Sequence, residues 1–331
     1  MNYSALSLTL LLTLSTTLLT ANDWVVYEPS EGPGQGKHIV FLTGDEEYRS
    51  EEGMPMLGKI LAKRHGFKCT VLFAVDPETG DIDPDNQTNL PGFERLSTAD
   101  LLVVFYRFRE PSSEQMRILD DYLQSGKPII GLRTATHAFN MKRDKDNPYQ
   151  HYDFRSREWA GGFGQQVLGD TWINHHGHHK HEATRGLING MAQNHPILKG
   201  VVDVFGTSDV YGVRHLKPTD TVLLHGATLT GMNPTDPVKI SKSLMPIAWT
   251  REYSIKSGKT NRVFCTTMGA SVDLLSEDLR RLLVNACYWG LGLEDQIPDR
   301  SNVDYIGEYK PTMYGFGSYQ RGIKPADHTL D

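Results

Sequence analysis

Residues 171–185 read TWINHHGHHKHEATR and place His175, His176, His178, His179 and His181 within seven positions. Imidazoles at this density can ligate a transition metal, hydrogen-bond a polar substrate, or simply line a solvated loop. The spacing is not that of a self-contained zinc motif, because no C-x2-C pair precedes it and no H-E-x-x-H occurs. Extended backbone would send His175 and His176 to opposite sides. A helix would bring His175, His178 and His179 to one face, but Gly177 argues against a continuous helix. At most two or three of the five can serve one centre. The expected ligand set is His175, His176 and His178, with zinc as the expected divalent ion; substrate hydrogen bonding and a plain polar loop stay open as alternatives.

Three further segments carry reactive side chains. GDEEYRSEE supplies Asp45, Glu46, Glu47, Tyr48 and Arg49; YRFRE supplies Arg107 and Arg109; RTATHAFN supplies Arg133, Thr134, Thr136 and His137. A carboxylate paired with an imidazole is the minimum for acid–base catalysis, so His137 with Asp45, Glu46 or Glu47 is the expected catalytic set. Guanidinium, hydroxyl and phenol groups hold sugar hydroxyls or a carboxylate. Tyr48, Arg49, Arg107, Arg109, Arg133, Thr136, Arg185, Asp209 and Tyr211 are therefore the expected substrate-binding residues. His195, which precedes Pro196, is read as structural.

These segments need elements that bring them together. KHIVFLTG (37–44), KCTVLFAV (68–75), ADLLVVFY (99–106) and KPIIGLR (127–133) read as buried strands. The stripe Met54, Leu57, Ile60, Leu61, opened by Ser50 as cap and stopped by Gly66, predicts a helix between the first two. Ser112-x-x-Gln115, followed by Met116, Leu119 and Leu123, predicts another between the third and fourth. Later strands are expected at 222–226, 245–250 and 262–269, and a closing helix over about 276–291. The fold class is α/β: a doubly wound, mostly parallel flavodoxin-type sheet with helices on both faces. Ligands in such sheets bind beyond the carboxyl ends of the strands, where all three reactive segments begin.

Other chemistries are disfavoured. No glycine-rich phosphate loop follows a strand, and no G-x-S-x-G or G-x-C-x-G elbow follows the fourth. A net charge of −6 without a basic run points away from nucleic acid. Three cysteines, Cys69, Cys265 and Cys287, are too few for a disulfide framework; buried thiols are expected, with a Cys265–Cys287 bridge left open. Residues 1–21, MNYSALSLTLLLTLSTTLLTA, read as an export signal cut near Ala21, so the expected location is periplasmic or secreted, with no membrane association after cleavage. The expected organisation is this signal, an N-terminal lead (22–36), one α/β domain (37–293) and a C-terminal arm (294–331).

With KHIVFLTG, GKPIIGLRTATHAF, HPILKGV (195–201), TSDVYGV (207–213), PIAWTREY…GKTNRVFCTTMGAS (246–271) and LRRLLVNACYWGLG (279–292) in order, the chain resembles the ThuA-like, or trehalose-utilisation, family. The combination of GDEEYRSEEGMPML with the histidine run is similar to an exported subgroup of it. The resemblance implies the class I glutamine amidotransferase-like fold without its catalytic cysteine, and a place in the metabolism of trehalose-like or keto-sugars. The chain departs from the family pattern in three places. Gly269-Ala270 stands where many relatives have Gly-His, Asp209-Val210 where many have Asp-Glu, and Arg133 where a strand-end histidine is expected. The expected partner is a small-molecule carbohydrate, and association into a homo-oligomer is left open. The expected function is a hydrolase or isomerase-like enzyme on a sugar or keto-sugar, metal-assisted if the histidines bind an ion. The alternative is a non-catalytic sugar-binding or scaffold module on the same fold; an amidase would need a nucleophile the sequence does not offer.

Overall fold

Strand β2 (His38–Gly44) is buried at every position, as an apolar run covered on both faces must be. Its register with β4 (Leu101–Tyr106) pairs Gly44 with Tyr106. The two strands therefore end level, and the chains that leave them start side by side. The computed structural model describes residues 23–254 and 258–330; the export signal expected at 1–21 lies outside them.

The protein is a mixed α/β fold on one ten-stranded sheet. Its parallel part is β3 (Lys68–Leu72), β2, β4, β5 (Ile129–Leu132) and β10 (Thr260–Thr266), adjacent in that order. Ranked along the chain, this is the flavodoxin-type order 2-1-3-4-5, whose crevice opens between the first and third parallel strands, here β2 and β4.

The expectation of a mostly parallel sheet needs correction. The other pairings are antiparallel: β1 (Trp24–Tyr27) on β3, and then β10, β9 (Met245–Ser254), β8 (Thr221–Thr228), β6 (Thr184–Ile188) and β7 (Val204–Gly206) in succession. Ser254 and Thr260 are too close in sequence for a crossover, and so short a connection returns antiparallel.

Alternate residues of β2 feed separate cores, as the two-residue strand repeat dictates. Ile39 and Phe41 join Leu57 and Leu61 of α1 (Ser50–His65) and Leu279 and Leu283 of α3 (Glu277–Gly290). Val40 and Leu42 join Met116, Leu119 and Leu123 of α2 (Ser113–Gln124). α2 opens with the capping box that Ser112 and Gln115 predict. α1 does not open as expected. Its cap is Arg49, held in the left-handed region (φ 61°), while the Ser50 hydroxyl accepts a hydrogen bond from the Gly44 amide at 3.1 Å. The three cysteines are free and buried. No helix among the described residues is long and apolar enough to cross a membrane.

Glu51 in the first turn of α1 has both carboxyl oxygens buried without a hydrogen-bond partner. Burial, reinforced by the neighbouring carboxylates, pushes its pKa from 4.5 up to about 8. The folded chain thus holds a proton that the unfolded chain releases. Stability from this group is full below about pH 4.5 and is lost as the pH rises through about 8. Glu51→Gln should raise Tm over the parent more at about pH 8.5 than at about pH 4, read by thermal unfolding; the same shift at both pH values overturns the assignment.

Candidate functional site

The loop after β2 holds its carboxylates in three different ways. Asp45 accepts hydrogen bonds from the amides of Glu47 (2.7 Å) and Tyr48 (2.8 Å) and from the Thr134 hydroxyl, and is fully buried. Glu46 spans the crevice between β2 and β4 and is gripped by Arg107 and Arg109, one on each oxygen. Neither carboxylate is free to exchange protons with a substrate, which corrects their expected catalytic role: turn closure uses one and ion pairing the other. Glu47 alone faces the histidines, with its Oε1 3.0 Å from His179 Nε2. Burial alone would raise its pKa, but the His179 hydrogen bond and the charges of Arg107 and Arg133 win, so it lies below the usual range.

Two of the expected substrate-binding arginines serve the backbone instead. Arg109 is fully buried and donates to the carbonyls of Pro84 (2.8 Å), Asn86 and Arg107 (2.7 Å). Arg49, also buried, donates to the Gly315 carbonyl and the Ser318 hydroxyl, clamping the C-terminal arm. The carbonyls these two arginines bond lie in loops without a strand or helix partner, and a guanidinium can satisfy several at once. Arg107 stays partly accessible, stacked between Phe108 and Phe316.

A strained elbow does follow β5, although no nucleophile motif marks it. Arg133, at its apex, has φ 45°, a conformation that costs a non-glycine residue free energy and persists only when its surroundings impose it. The surroundings are specific. The guanidinium donates to the carbonyls of Asp209 and Thr267 (2.7 Å each), to Asp209 Oδ1 (3.0 Å) and to the Tyr48 hydroxyl (3.1 Å). Its carbon lies 3.7 Å from the Tyr211 ring centroid and 4.5 Å from that of Tyr48, placing the cation over two aromatic faces. Arg133, Tyr48 and Tyr211 are thus a buried support for Asp209, not groups that reach a substrate.

Asp209 in turn collects two of the five histidines. His175 Nδ1 is 2.8 Å from Oδ2, and His179 Nδ1 is 3.0 Å from Oδ1. Burial would raise the Asp209 pKa, but Arg133 and the two imidazoles hold it well below the usual carboxylate range. An ionised carboxylate only accepts, so both Nδ1 atoms donate. His179 lies between two carboxylates, and its hydrogen bonds to Asp209 and Glu47 push its pKa up to about 9. The loop reaches this shape because the amides of His176 and Gly177 both donate to the Val210 carbonyl (2.8 and 2.9 Å), pinning it to the segment that carries Asp209.

His176 and His178 point elsewhere, which corrects the expected ligand set. His176 Nε2 donates to the Ser243 carbonyl at 2.9 Å, while the exposed His178 ring lies tilted 4.2 Å from that of His181. Among the described residues, His175, His179 and Asp209 are the group whose candidate ligand atoms all lie within 4.8 Å of one another.

His137 lies against the same cluster. Its ring sits 5.6 Å from that of Trp172 and 6.3 Å from that of Tyr211, and His175 lies 5.8 and 5.5 Å from the same two rings. Phe108 and Phe154 cover its other sides, and its Nδ1 is 3.2 Å from the Thr136 hydroxyl. Burial, helped by the charges of Arg107, Arg133 and His175, holds its pKa well below 6.5, so it is neutral at physiological pH. Arg185 is not part of this arrangement. It sits on β6 and pairs with Asp203 and the Pro234 carbonyl, because strand alternation turns it away from Thr184, which bonds inward to the Ser208 carbonyl.

Sequence reasoning missed Tyr314. This residue of the C-terminal arm packs its ring 5.2 Å from Tyr48 and 5.5 Å from His179 and donates to the Thr207 carbonyl at 2.9 Å. It also missed Asp273, which accepts from the amides of Ser208, Gly269 and Ala270 and so shapes the turn before Asp209. No spacing in the sequence marks either.

Removing Asp209 would leave the Arg133 guanidinium buried without its counter-charge. Asp209→Ala should cost about 3–5 kcal/mol, measured by urea unfolding. A loss under about 1 kcal/mol would show that the pair does not organise this edge.

Similar solved structures include a ThuA-like protein from Bacteroides uniformis (16% identity, 79% of this chain and 93% of that one, TM-score 0.47) and another from Parabacteroides merdae (14%, 77% and 90%, TM-score 0.48). The glutaminase domain of a Trypanosoma brucei CTPS with bound acivicin also aligns (10%, 82% and 100%, TM-score 0.36). No curated protein matches. Residues 38–290, from the start of β2 to the end of α3, match the ThuA family, described as trehalose utilisation, and the chain belongs to that family.

Proposed function

We propose that this protein is an enzyme that acts on a sugar or keto-sugar by moving protons at the crevice beyond β2, β4 and β5. The family supports a carbohydrate-related role. The observation that carries the enzymatic reading is the half-buried Trp172 ring, which lies 5.6 Å from the His137 ring and 5.8 Å from that of His175. A partly exposed indole offers a flat apolar face with a polar rim, suited to a sugar ring. His175, exposed beside the indole, can then reach the sugar's hydroxyl or carbonyl oxygens, and the buried His137 lies next to the same indole.

The roles divide by environment. His137, neutral and oriented by Thr136, takes a proton from the substrate. His179, protonated between Asp209 and Glu47, is the source of positive charge beside the substrate oxygen and the acid that can return a proton. Asp45, Glu46, Arg109 and Arg133 hold the loops that carry these groups. Hydrolysis and isomerisation both need such an opposed pair, and the choice between them rests with the substrate.

The test is turnover and binding on a panel of keto-sugars and disaccharides. His137→Gln should lower kcat about 100- to 10,000-fold with binding retained. Trp172→Ala should raise KM more than it lowers kcat, and Arg185→Ala should change neither. If the parent binds sugars by calorimetry yet turns over none of them, the enzymatic reading fails and the sugar-binding module stands.

A further inference from the structure

We infer that His175, His179 and Asp209 together bind a divalent first-row transition ion of the zinc type. The inference concerns the site proposed above but rests on separate observations, and it is tested by metal content, not by turnover.

The donor set fits such an ion. Two imidazole nitrogens and one carboxylate oxygen are borderline ligands that suit zinc or iron(II) and are poor for calcium or magnesium, which need oxygen shells. Three protein ligands also leave coordination positions open for a substrate oxygen. The spacing fits as well. His175 Nδ1 and His179 Nδ1 lie 2.8 and 3.0 Å from the two oxygens of Asp209. The edge of a tetrahedral shell with ligands at about 2.0–2.1 Å is about 3.3 Å; the three ligand atoms lie within 4.8 Å of one another, so the side chains would close by up to about 1.5 Å on the ion. The ion would replace the two Nδ1 protons that now tie the rings to the carboxylate, these leave to solvent, and in the loaded protein the ion would take over from the His179 imidazolium as the positive charge beside the substrate.

The outer contacts are those a metal site needs. An imidazole that ligates through one nitrogen ordinarily donates its other N–H to a carboxylate or carbonyl, fixing tautomer and ring orientation. His179 does this: its Nε2 is 3.0 Å from Glu47 Oε1. Asp209 is itself oriented by Arg133 on Oδ1. The guanidinium would repel a cation, but Glu47 and Asp209 supply two carboxylates against it at His179. Access is open on the His175 side, where the side chain is 38% exposed, whereas Asp209 is fully buried. His176, His178 and His181 make none of these contacts, which separates a built site from adventitious binding by a histidine-rich loop.

The full chain, stripped with a chelator and titrated with zinc chloride by calorimetry, should bind one ion. Elemental analysis of protein reloaded and desalted should return the same stoichiometry. His175→Gln with His179→Gln should weaken binding at least about 100-fold, and Glu47→Gln, which touches no ion, by about 10–100-fold. His178→Ala with His181→Ala should bind as the parent does. Cobalt(II) loading gives a second readout: a visible absorption spectrum that shifts in the His175→Gln protein, whose partly exposed position makes misfolding a poor explanation for any change. Two outcomes overturn the inference: a folded parent that binds no zinc, or a His175→Gln, His179→Gln protein with unchanged stoichiometry and affinity. Zinc bound at these residues in a protein that turns over no sugar would leave the ion in place and remove the enzymatic reading alone.

Discussion

The edge of the sheet where the charged loops meet depends on one buried cation. Arg133 stands at a strained elbow, its guanidinium over the rings of Tyr48 and Tyr211 and bonded to Asp209, to the Thr267 carbonyl and to the Tyr48 hydroxyl. These partners come from three segments: Tyr48 from the loop after β2, Thr267 from the turn after β10, and Asp209 and Tyr211 from the stretch that follows β7. A charge taken out of water must be matched where it sits. Matching this one draws those segments together. Asp209 is then fixed at an oriented, ionised carboxylate, and the histidine loop has something to close on.

A second ion pair holds the crevice from the other side. Glu46 links the end of β2 to the end of β4 through Arg107 and Arg109, and Arg109 ties down the carbonyls of Pro84 and Asn86. The C-terminal arm completes the wall: Arg49 bonds Gly315 and Ser318, Thr312 bonds Glu52, and Tyr314 lies against Tyr48 and His179. Most of the charged residues at this edge therefore act on one another and on the backbone. The smaller group that remains is His137, His175, His179, Glu47 and Trp172. This division explains why a polar strand edge alone is a poor guide to a ligand site: in a low-dielectric crevice many of the charges are needed to hold one another.

Much of this architecture was legible in the residues. The buried runs at 37–44, 99–106 and 127–133 predict parallel strands because a two-sided strand must be apolar throughout. The turn residues after them then predict where ligands gather. The antiparallel half was harder to see, since a half-buried strand of β8 or β9 type carries no mark of which way its neighbour runs. Ser50 illustrates a local failure: it has the chemistry of a cap, yet its hydroxyl serves Gly44 and the left-handed Arg49 begins the helix.

The sequence by itself determined the family, the strands of the parallel half and the fact that acids, guanidinium groups and imidazoles leave their ends, because periodicity and chain order are local properties. Only the tertiary structure decided which imidazoles matter. Orientation in an irregular loop has no period to read. It is set here by the Val210 carbonyl, which takes two amides of the loop, and by Asp209, which takes His175 and His179 and leaves His176 and His178 outside. Those partners lie 30 or more residues away along the chain, and a buried carboxylate selects its donors by distance in space.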